Sequence, residues 1–209
     1  MDIALCIVVF ALGAWFCLLF LRGRKPPRTQ ALYKCIPSFG CALLALYGAL
    51  PSGFSDVGGA VLCAGLLLCA AADWVLEFRF LPGAMLFMLA HLFFIAGFVL
   101  TGSKVPNIIC LIIVAAILYL LLALVRQVGE PKQPTLPLIA YIAVISLMAA
   151  YAFPRGALFA IGALLFIQSD ALLGARLFGT VKGKAVSVSI MVPYYLALYL
   201  FALGCVFSL

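Results

Sequence analysis

Ile167-Gln168-Ser169-Asp170-Ala171-Leu172-Leu173 puts a carboxylate in the middle of an apolar run that extends from Gly156 to Phe178. An ionised Asp in hydrocarbon costs several kcal/mol, so Asp170 either faces a polar cavity or keeps its proton. A second carboxylate has the same setting: Gly65-Leu66-Leu67-Leu68-Cys69-Ala70-Ala71-Ala72 leads directly into Asp73. The two are read as one site. The rest of the chain is then the set of helices that holds it.

Composition fixes the class. Of 209 residues 68% are hydrophobic and only 9% charged, whereas soluble domains carry about a quarter charged residues. Apolar runs of about 20 residues suffice to cross a bilayer as helices. The expectation is an all-α, polytopic membrane bundle of eight transmembrane helices, one transmembrane domain over residues 1–209. The spans are about Ile3–Leu21, Ala31–Leu50, Val57–Leu76, Leu81–Leu100, Asn107–Val125, Pro137–Phe153, Gly156–Phe178 and Ala185–Ser208. Pro51-Ser52-Gly53 closes span two, Pro82-Gly83 opens span four, and Pro193 is expected to kink span eight. The first span is too long for a signal-peptide core and reads as a retained helix.

The net charge of +7 does not point to nucleic acid, because the cations lie between apolar runs rather than on an aromatic-studded face. They set topology instead. Arg22, Arg24, Lys25, Arg28, Lys34, Arg79, Arg126, Lys132, Arg176, Lys182 and Lys184 fall on one side of an eight-span arrangement, and only Lys104 and Arg155 on the other. That asymmetry makes the odd-numbered loops cytoplasmic and both termini non-cytoplasmic. Asp73 then lies about 6 Å, and Asp170 about 13 Å, from the cytoplasmic end of its span. Lys34 and Tyr141 join them in the cytoplasmic half, with His91 and Tyr194-Tyr195 near mid-depth. The outer half is nearly free of polar groups.

Each candidate also has a plainer reading. Asp170, with Ser169 and Gln168, can serve as interhelical glue worth about 1 kcal/mol. Asp73 can face headgroups together with Glu77 one turn on, and Lys34 can snorkel. His91, the only histidine, can be a satisfied core group. Tyr141, Tyr194, Tyr195 and Tyr199 can be interface aromatics, although the Tyr194-Tyr195 pair is deep for a belt, and a deep phenol needs a partner such as the Asp residues. Trp15 and Trp74 read as packing or interface residues. The eight cysteines (Cys6, Cys17, Cys35, Cys41, Cys63, Cys69, Cys110, Cys205) contain no C-x-x-C and read as reduced packing residues.

Gly65 and Gly162 each precede an Asp by eight residues and lie four crossings apart, the spacing of a duplicated four-helix unit, a 4+4 repeat. One histidine excludes a three-His zinc site, and there is no G-x-S-x-G or phosphate loop. Carboxylate acid–base chemistry or ion-coupled transport remains, with no metal and no cofactor.

The residues resemble the integral-membrane lysoplasmalogenases, the YhhN-like proteins. Lys34-Cys35-Ile36-Pro37, Gly65 with Asp73, and Gly83 with His91-Leu92-Phe93-Phe94-Ile95-Ala96-Gly97-Phe98 carry the likeness through span four. Tyr141, the segment Gly162–Leu173 with Arg176-Leu177-Phe178, and Tyr194-Tyr195-Leu196-Ala197 carry it to span eight. The chain departs from the family pattern at Ala72, where the family has Gly, and at Leu198, where it has Gln.

The resemblance implies hydrolysis of the vinyl-ether bond of lysoplasmalogens to a fatty aldehyde and glycerophosphocholine or glycerophosphoethanolamine. Carboxylate chemistry fits that reaction: an acid protonates the carbon β to oxygen, an anion steadies the oxocarbenium ion, and water attacks. Burial disfavours the charged form of a carboxylic acid, so the deeper Asp170 is read as the acid and Asp73 as its charged partner; the reverse assignment stays open. Lys34, with Arg176, would hold the substrate phosphate. Tyr141, Tyr194, Tyr195, Ser169 and His91 would supply orienting contacts. The expected partners are the lysophospholipid substrate and membrane lipids, not nucleic acid, in a bacterial inner membrane or the endoplasmic reticulum. A proton- or ion-coupled transporter and a structural membrane subunit are the competing readings.

Overall fold

A computed structural model describes residues 3–23, 26–50, 56–103, 107–109, 111–112, 116, 135–177 and 182–208. Within them lie seven α-helices: α1 (Ile3–Leu21), α2 (Pro27–Ala49), α3 (Val57–Phe78), α4 (Phe80–Leu100), α5 (Thr135–Ala152), α6 (Ala157–Leu177) and α7 (Lys184–Ser208). They correspond to spans one to four and six to eight. Span five, the Pro51-Ser52-Gly53 turn, Cys110 and the connector before α5 lie mostly or wholly outside the described residues. The described chain is thus a polytopic helical membrane bundle, with six helices long and apolar enough to cross a bilayer and a shorter apolar one at Ile139–Arg155. Helices satisfy every internal N–H and C=O, the condition hydrocarbon imposes.

Several boundaries differ from expectation for local reasons. α2 starts at Pro27 rather than near Ala31, because a proline in the first turn gives up an N–H that has no intrahelical partner anyway. α4 starts at Phe80, two residues before Pro82, since α3 ends at Phe78 and a single extended residue, Arg79 (φ −143°, ψ 110°), reverses the chain. The sharp reversal brings α4 against α3 so closely that a Cβ on Gly83 would lie 2.7 Å from the Leu76 Cα. Asp56 caps α3 by accepting from the Gly58 N–H at 3.1 Å. α7 runs through Pro193, and α2 likewise through Pro37, which the sequence reading did not single out. Gly156, at φ +113°, makes the left-handed step between a short 3-10 turn (Phe153–Arg155) and α6.

Two hairpins make the centre of the bundle. α3 packs most extensively on α4 and α6 on α7; α2 lies against α3 and α7, α5 against α4 and α6, and α1 sits outside against α2 and α7. In the first hairpin Gly65 receives the Phe94 ring and Gly97 receives Leu62; in the second, Gly162 receives the Phe201 ring and Gly204 receives Phe159. In all four cases a Cβ would come within 2.7 Å of the partner side chain, so these contacts exist only because the residue is Gly. The rings then meet across the hairpins: Phe94 and Phe201 at 5.0 Å and Phe98 and Phe159 at 5.1 Å between centroids. Ring edges on ring faces satisfy the aromatic quadrupoles. This aromatic plug fills one half of the bundle. The two carboxylates and their hydroxyl partners lie in the other.

Candidate functional site

α3 and α6 bring the two carboxylates into that polar half from the same end. The last turns of both helices, through Leu76, Glu77, Leu173 and Arg176, line one cleft of about 740 Å³. The end of α1 and the beginnings of α2, α4 and α7 close it, through Phe20, Leu21, Arg22, Gly23, Gln30, Lys34, Phe80, Lys184, Ser187, Ile190 and Met191. Asp73 and Asp170 are not in the cleft wall. They lie about one or two helical turns deeper.

Asp73 is 2% exposed, which overturns the reading that it faces headgroups. Its carboxylate accepts from the Ser38 hydroxyl in a very short contact and from the Tyr194 hydroxyl at 2.8 Å. Ser38 also lies 3.4 Å from the backbone carbonyl of Lys34. Sequence reading missed Ser38. Its signal was position, one helical turn from Lys34 on the face of α2 that meets α3.

Asp170 is only partly buried, so Asp73 is the more enclosed of the two, against the expectation from depth that made Asp170 the acid; Asp170 accepts from the Tyr141 hydroxyl at 2.5 Å, which ties α6 to α5. The two carboxylates are within electrostatic reach of each other, and the buried Cys69, one turn before Asp73, is within reach of both. A continuous row of rings also joins them. Tyr194, which holds Asp73, stands 5.6 Å from Phe166; Phe166 stands 5.2 Å from His91; and His91 stands 5.8 Å from Tyr141, which holds Asp170.

His91 is fully buried within that row. Its Nδ1 is 2.6 Å from the Phe87 carbonyl, and a carbonyl only accepts, so Nδ1 carries the proton. Nε2 is then a bare acceptor, and it has no hydrogen-bond partner among the described residues.

The remaining candidates divide. Lys34 is buried rather than snorkelling; its Nζ pairs with Glu77 Oε2 at 3.2 Å and sits 5.3 Å over the Phe20 ring, at the cleft wall. Arg176 reaches the same cleft and donates to Ser187 Oγ at 2.9 Å. Ser169 is buried beside Asp170, but no hydrogen bond joins it to either carboxylate among the described residues, and Gln168 is exposed on the outer surface. Of the deep Tyr194-Tyr195 pair, expected to meet the Asp residues, Tyr194 does so and Tyr195 does not. Tyr195 donates to the Lys34 carbonyl at 3.2 Å and Tyr199 to the Cys6 carbonyl at 2.9 Å. Both prefer main-chain acceptors because they leave α7 on the side that faces α1 and α2. Trp15 and Trp74 are exposed, and every cysteine among the described residues is free.

The profile of the YhhN family matches residues 29–205. The chain belongs to the YhhN family. A curated relative of this family member, the pig (Sus scrofa) protein named lysoplasmalogenase TMEM86B, is 33% identical over 198 residues, covering 93% of this chain and 83% of that one. No solved structure matches. The YhhN match begins at the third residue of α2, so the two carboxylates, their hydroxyl partners and the aromatic row all lie within it, and α1 lies outside it. Ala72 and Leu198, the departures from the family pattern, are both fully buried, in packed interior rather than in the cleft wall.

Proposed function

We propose that the protein hydrolyses the vinyl-ether bond of lysoplasmalogens by acid–base catalysis between Asp170 and Asp73. The observation that carries this reading is the setting of the two carboxylates. Each is intramembrane and held by a tyrosine, below a cleft that Arg22, Lys34, Arg176 and Lys184 line together with Glu77. Membership of the YhhN family and the named activity of the pig relative support it.

Asp170, with one hydroxyl partner, acts as the acid and gives its proton to the alkenyl carbon β to oxygen. Asp73, with two hydroxyl donors, remains the anion; donors to the charged form favour it. It steadies the oxocarbenium ion and takes a proton from the attacking water. The hemiacetal then breaks: Asp73 gives its proton to the departing glycerol oxygen and Asp170 takes the hydroxyl proton, which leaves aldehyde and glycerophospho-headgroup and restores both groups. His91 Nε2, a bare acceptor in a low-polarity box, suits the orientation of that water. Lys34 and Arg176 hold the phosphate, with Tyr141, Tyr194, Tyr195 and Ser169 shaping the pocket.

The test is aldehyde release from a lysoplasmenyl lipid by purified protein. We expect activity in the wild type and a loss of at least about tenfold in both Asp73→Asn and Asp170→Asn, the lower range for acid–base groups. Near-wild-type activity in either variant overturns the assignment. The transporter reading needs a polar route to the far side, and the buried rings of Phe94, Phe98, Phe159 and Phe201 stand across it. Solute flux without aldehyde release would reverse this preference.

We also read the chain as eight crossings in two related halves, with the cleft cytoplasmic and both termini on the other side. The matched glycine–side-chain contacts of the α3–α4 and α6–α7 hairpins support the duplication. The crossing number has its own support. Asn107 donates its backbone N–H to the Ala150 carbonyl, so the chain there is at the far end of α5, whereas Tyr141 near the start of α5 reaches Asp170 on the cleft side. Asn107 and the start of α5 thus lie on opposite sides of the bundle, which is what the proposed crossing requires.

A further inference from the structure

An apolar groove of about 240 Å³ runs between α1, α2 and α7, walled by Val9, Phe10, Gly13, Ala14, Cys17 and Leu18 of α1 and, opposite, by Pro37, Cys41, Val192, Tyr195, Leu196 and Tyr199. Leu21 lines both this groove and the cationic cleft, so the two meet. The groove's two tyrosines point their hydroxyls away from it in hydrogen-bonding terms: Tyr195 is spent on the Lys34 carbonyl and Tyr199 on the Cys6 carbonyl. Ring faces and thiols remain. Such a wall suits hydrocarbon and offers no strong hydrogen-bonding group.

The three helices that wall the groove also reach the cleft. Along α2, Lys34 lines the cleft, Ser38 binds Asp73, and Pro37 and Cys41 line the groove. Along α7, Ile190 and Met191 line the cleft, Tyr194 binds Asp73, and Tyr195 and Tyr199 line the groove. Along α1, Arg22 lines the cleft and Leu18, Ala14 and Phe10 the groove. On α2 and α7 the cleft comes first, and the groove runs beside the carboxylate-binding residue and beyond it to Cys41 and Tyr199, which matches the layout of a single-chain ether lipid: charged headgroup, reacting linkage, aliphatic chain.

We propose that this groove is the binding site for the single aliphatic chain of the substrate, and that α1, outside the family match, is its outer wall and sets the chain length accepted. The proposal rests on the reading of the protein as a lysoplasmalogenase. Each methylene pushed out of a blocked groove weakens binding, with the value for full exposure to water, about 0.8 kcal/mol or roughly fourfold, as the upper bound, so occupancy of the groove shows as a chain-length dependence.

Gly13 is the place to test it. A Cβ there meets nothing nearer than Pro37 Cβ at 3.8 Å, so a side chain is accommodated by the backbone at a position that lines the groove. Gly13→Leu and, separately, Ala14→Leu should lower kcat/KM for a sixteen-carbon alkenyl lysolipid by about tenfold, the worth of one or two displaced methylenes. An eight-carbon analogue should stay within about twofold of wild type. Equal losses for both lengths, or no change for either, overturn the proposal; no change would mean that ordinary bilayer lipid occupies the groove. A second measurement does not depend on turnover: a lysophospholipid with a photoactivatable diazirine near the end of its chain, in nanodiscs. Cross-links should map to α1 between Val9 and Leu18 and to α7 near Tyr199, and should fade in Gly13→Leu. Cross-links confined to other helices overturn the groove. Wild type that cross-links there but releases no aldehyde from any chain length overturns the activity and leaves the groove standing.

Discussion

Asp73 and Asp170 differ in what surrounds them, and that difference divides their proposed roles. Asp73 takes hydroxyls from Ser38 and Tyr194, whereas Asp170 takes one from Tyr141. A hydrogen bond to a charged group is worth about 1.5–3 kcal/mol. Ser38→Ala should therefore lower kcat for aldehyde release by roughly tenfold through the anion's loss of a donor, each 1.4 kcal/mol being tenfold. KM should change little, because Ser38 lies below the cleft rather than in its wall. Steady-state kinetics on a lysoplasmenyl lipid checks the split; a rise in KM at constant kcat would give Ser38 a binding role. The carboxylates were legible in the sequence because a charge in an apolar run is expensive and stands out. Ser38 was not, since a serine in a membrane helix can satisfy itself on its own backbone, and nothing local separates that serine from one that reaches another helix. Tyr195 failed in the opposite direction: its depth demanded a partner, but a backbone carbonyl on α2 served as well as a carboxylate.

At the scale of elements, helix existence was readable because each needs about 20 apolar residues, but helix ends were set by local chemistry: Pro27 as a first-turn residue and Arg79 as a one-residue reversal. What composition could not reveal is which glycines are contact surfaces. Gly65 and Gly162 look alike in the sequence, and each turns out to hold a phenylalanine ring against its helix. In membranes, close approach of this kind supplies much of the packing between helices. Gly65→Ala would drive a Cβ to 2.6 Å from the Phe94 ring. Overpacking of that kind costs about 1–3 kcal/mol, more than the gain of about 1 kcal/mol in helix propensity. We expect a lower midpoint of thermal unfolding in detergent for Gly65→Ala, and likewise for Gly162→Ala. In a Phe94→Leu background the Gly65→Ala penalty should shrink, which a double-mutant cycle measures. Additive effects of the two substitutions would show that the ring does not fill the glycine notch.

For the whole molecule, the division into a plugged half and a polar half leads to a prediction of which membrane face the site serves. The cleft carries Arg22, Lys34, Arg176 and Lys184, whereas at the opposite end Arg155 is occupied by the Thr101 carbonyl at 2.6 Å. Cations near span ends are retained on the cytoplasmic side, so the bundle should sit with its cleft in the cytoplasm. The beginning of α7 lines the cleft and its other end lies beside α1's start, where Tyr199 holds the Cys6 carbonyl, so the C-terminus belongs on the far face. The prediction is a pattern of access in sealed vesicles of known orientation. A cysteine at Lys184→Cys should react with a membrane-impermeant maleimide only from the cytoplasmic side, and a C-terminal epitope should be reached only from the other. In the proposed eight-crossing arrangement an epitope inserted after Gln133 should share the face of Lys184. Labelling of Lys184→Cys from the non-cytoplasmic side would invert the bundle. An epitope after Gln133 on the face opposite Lys184 would remove the eighth crossing while leaving the paired carboxylates and their cleft as they stand.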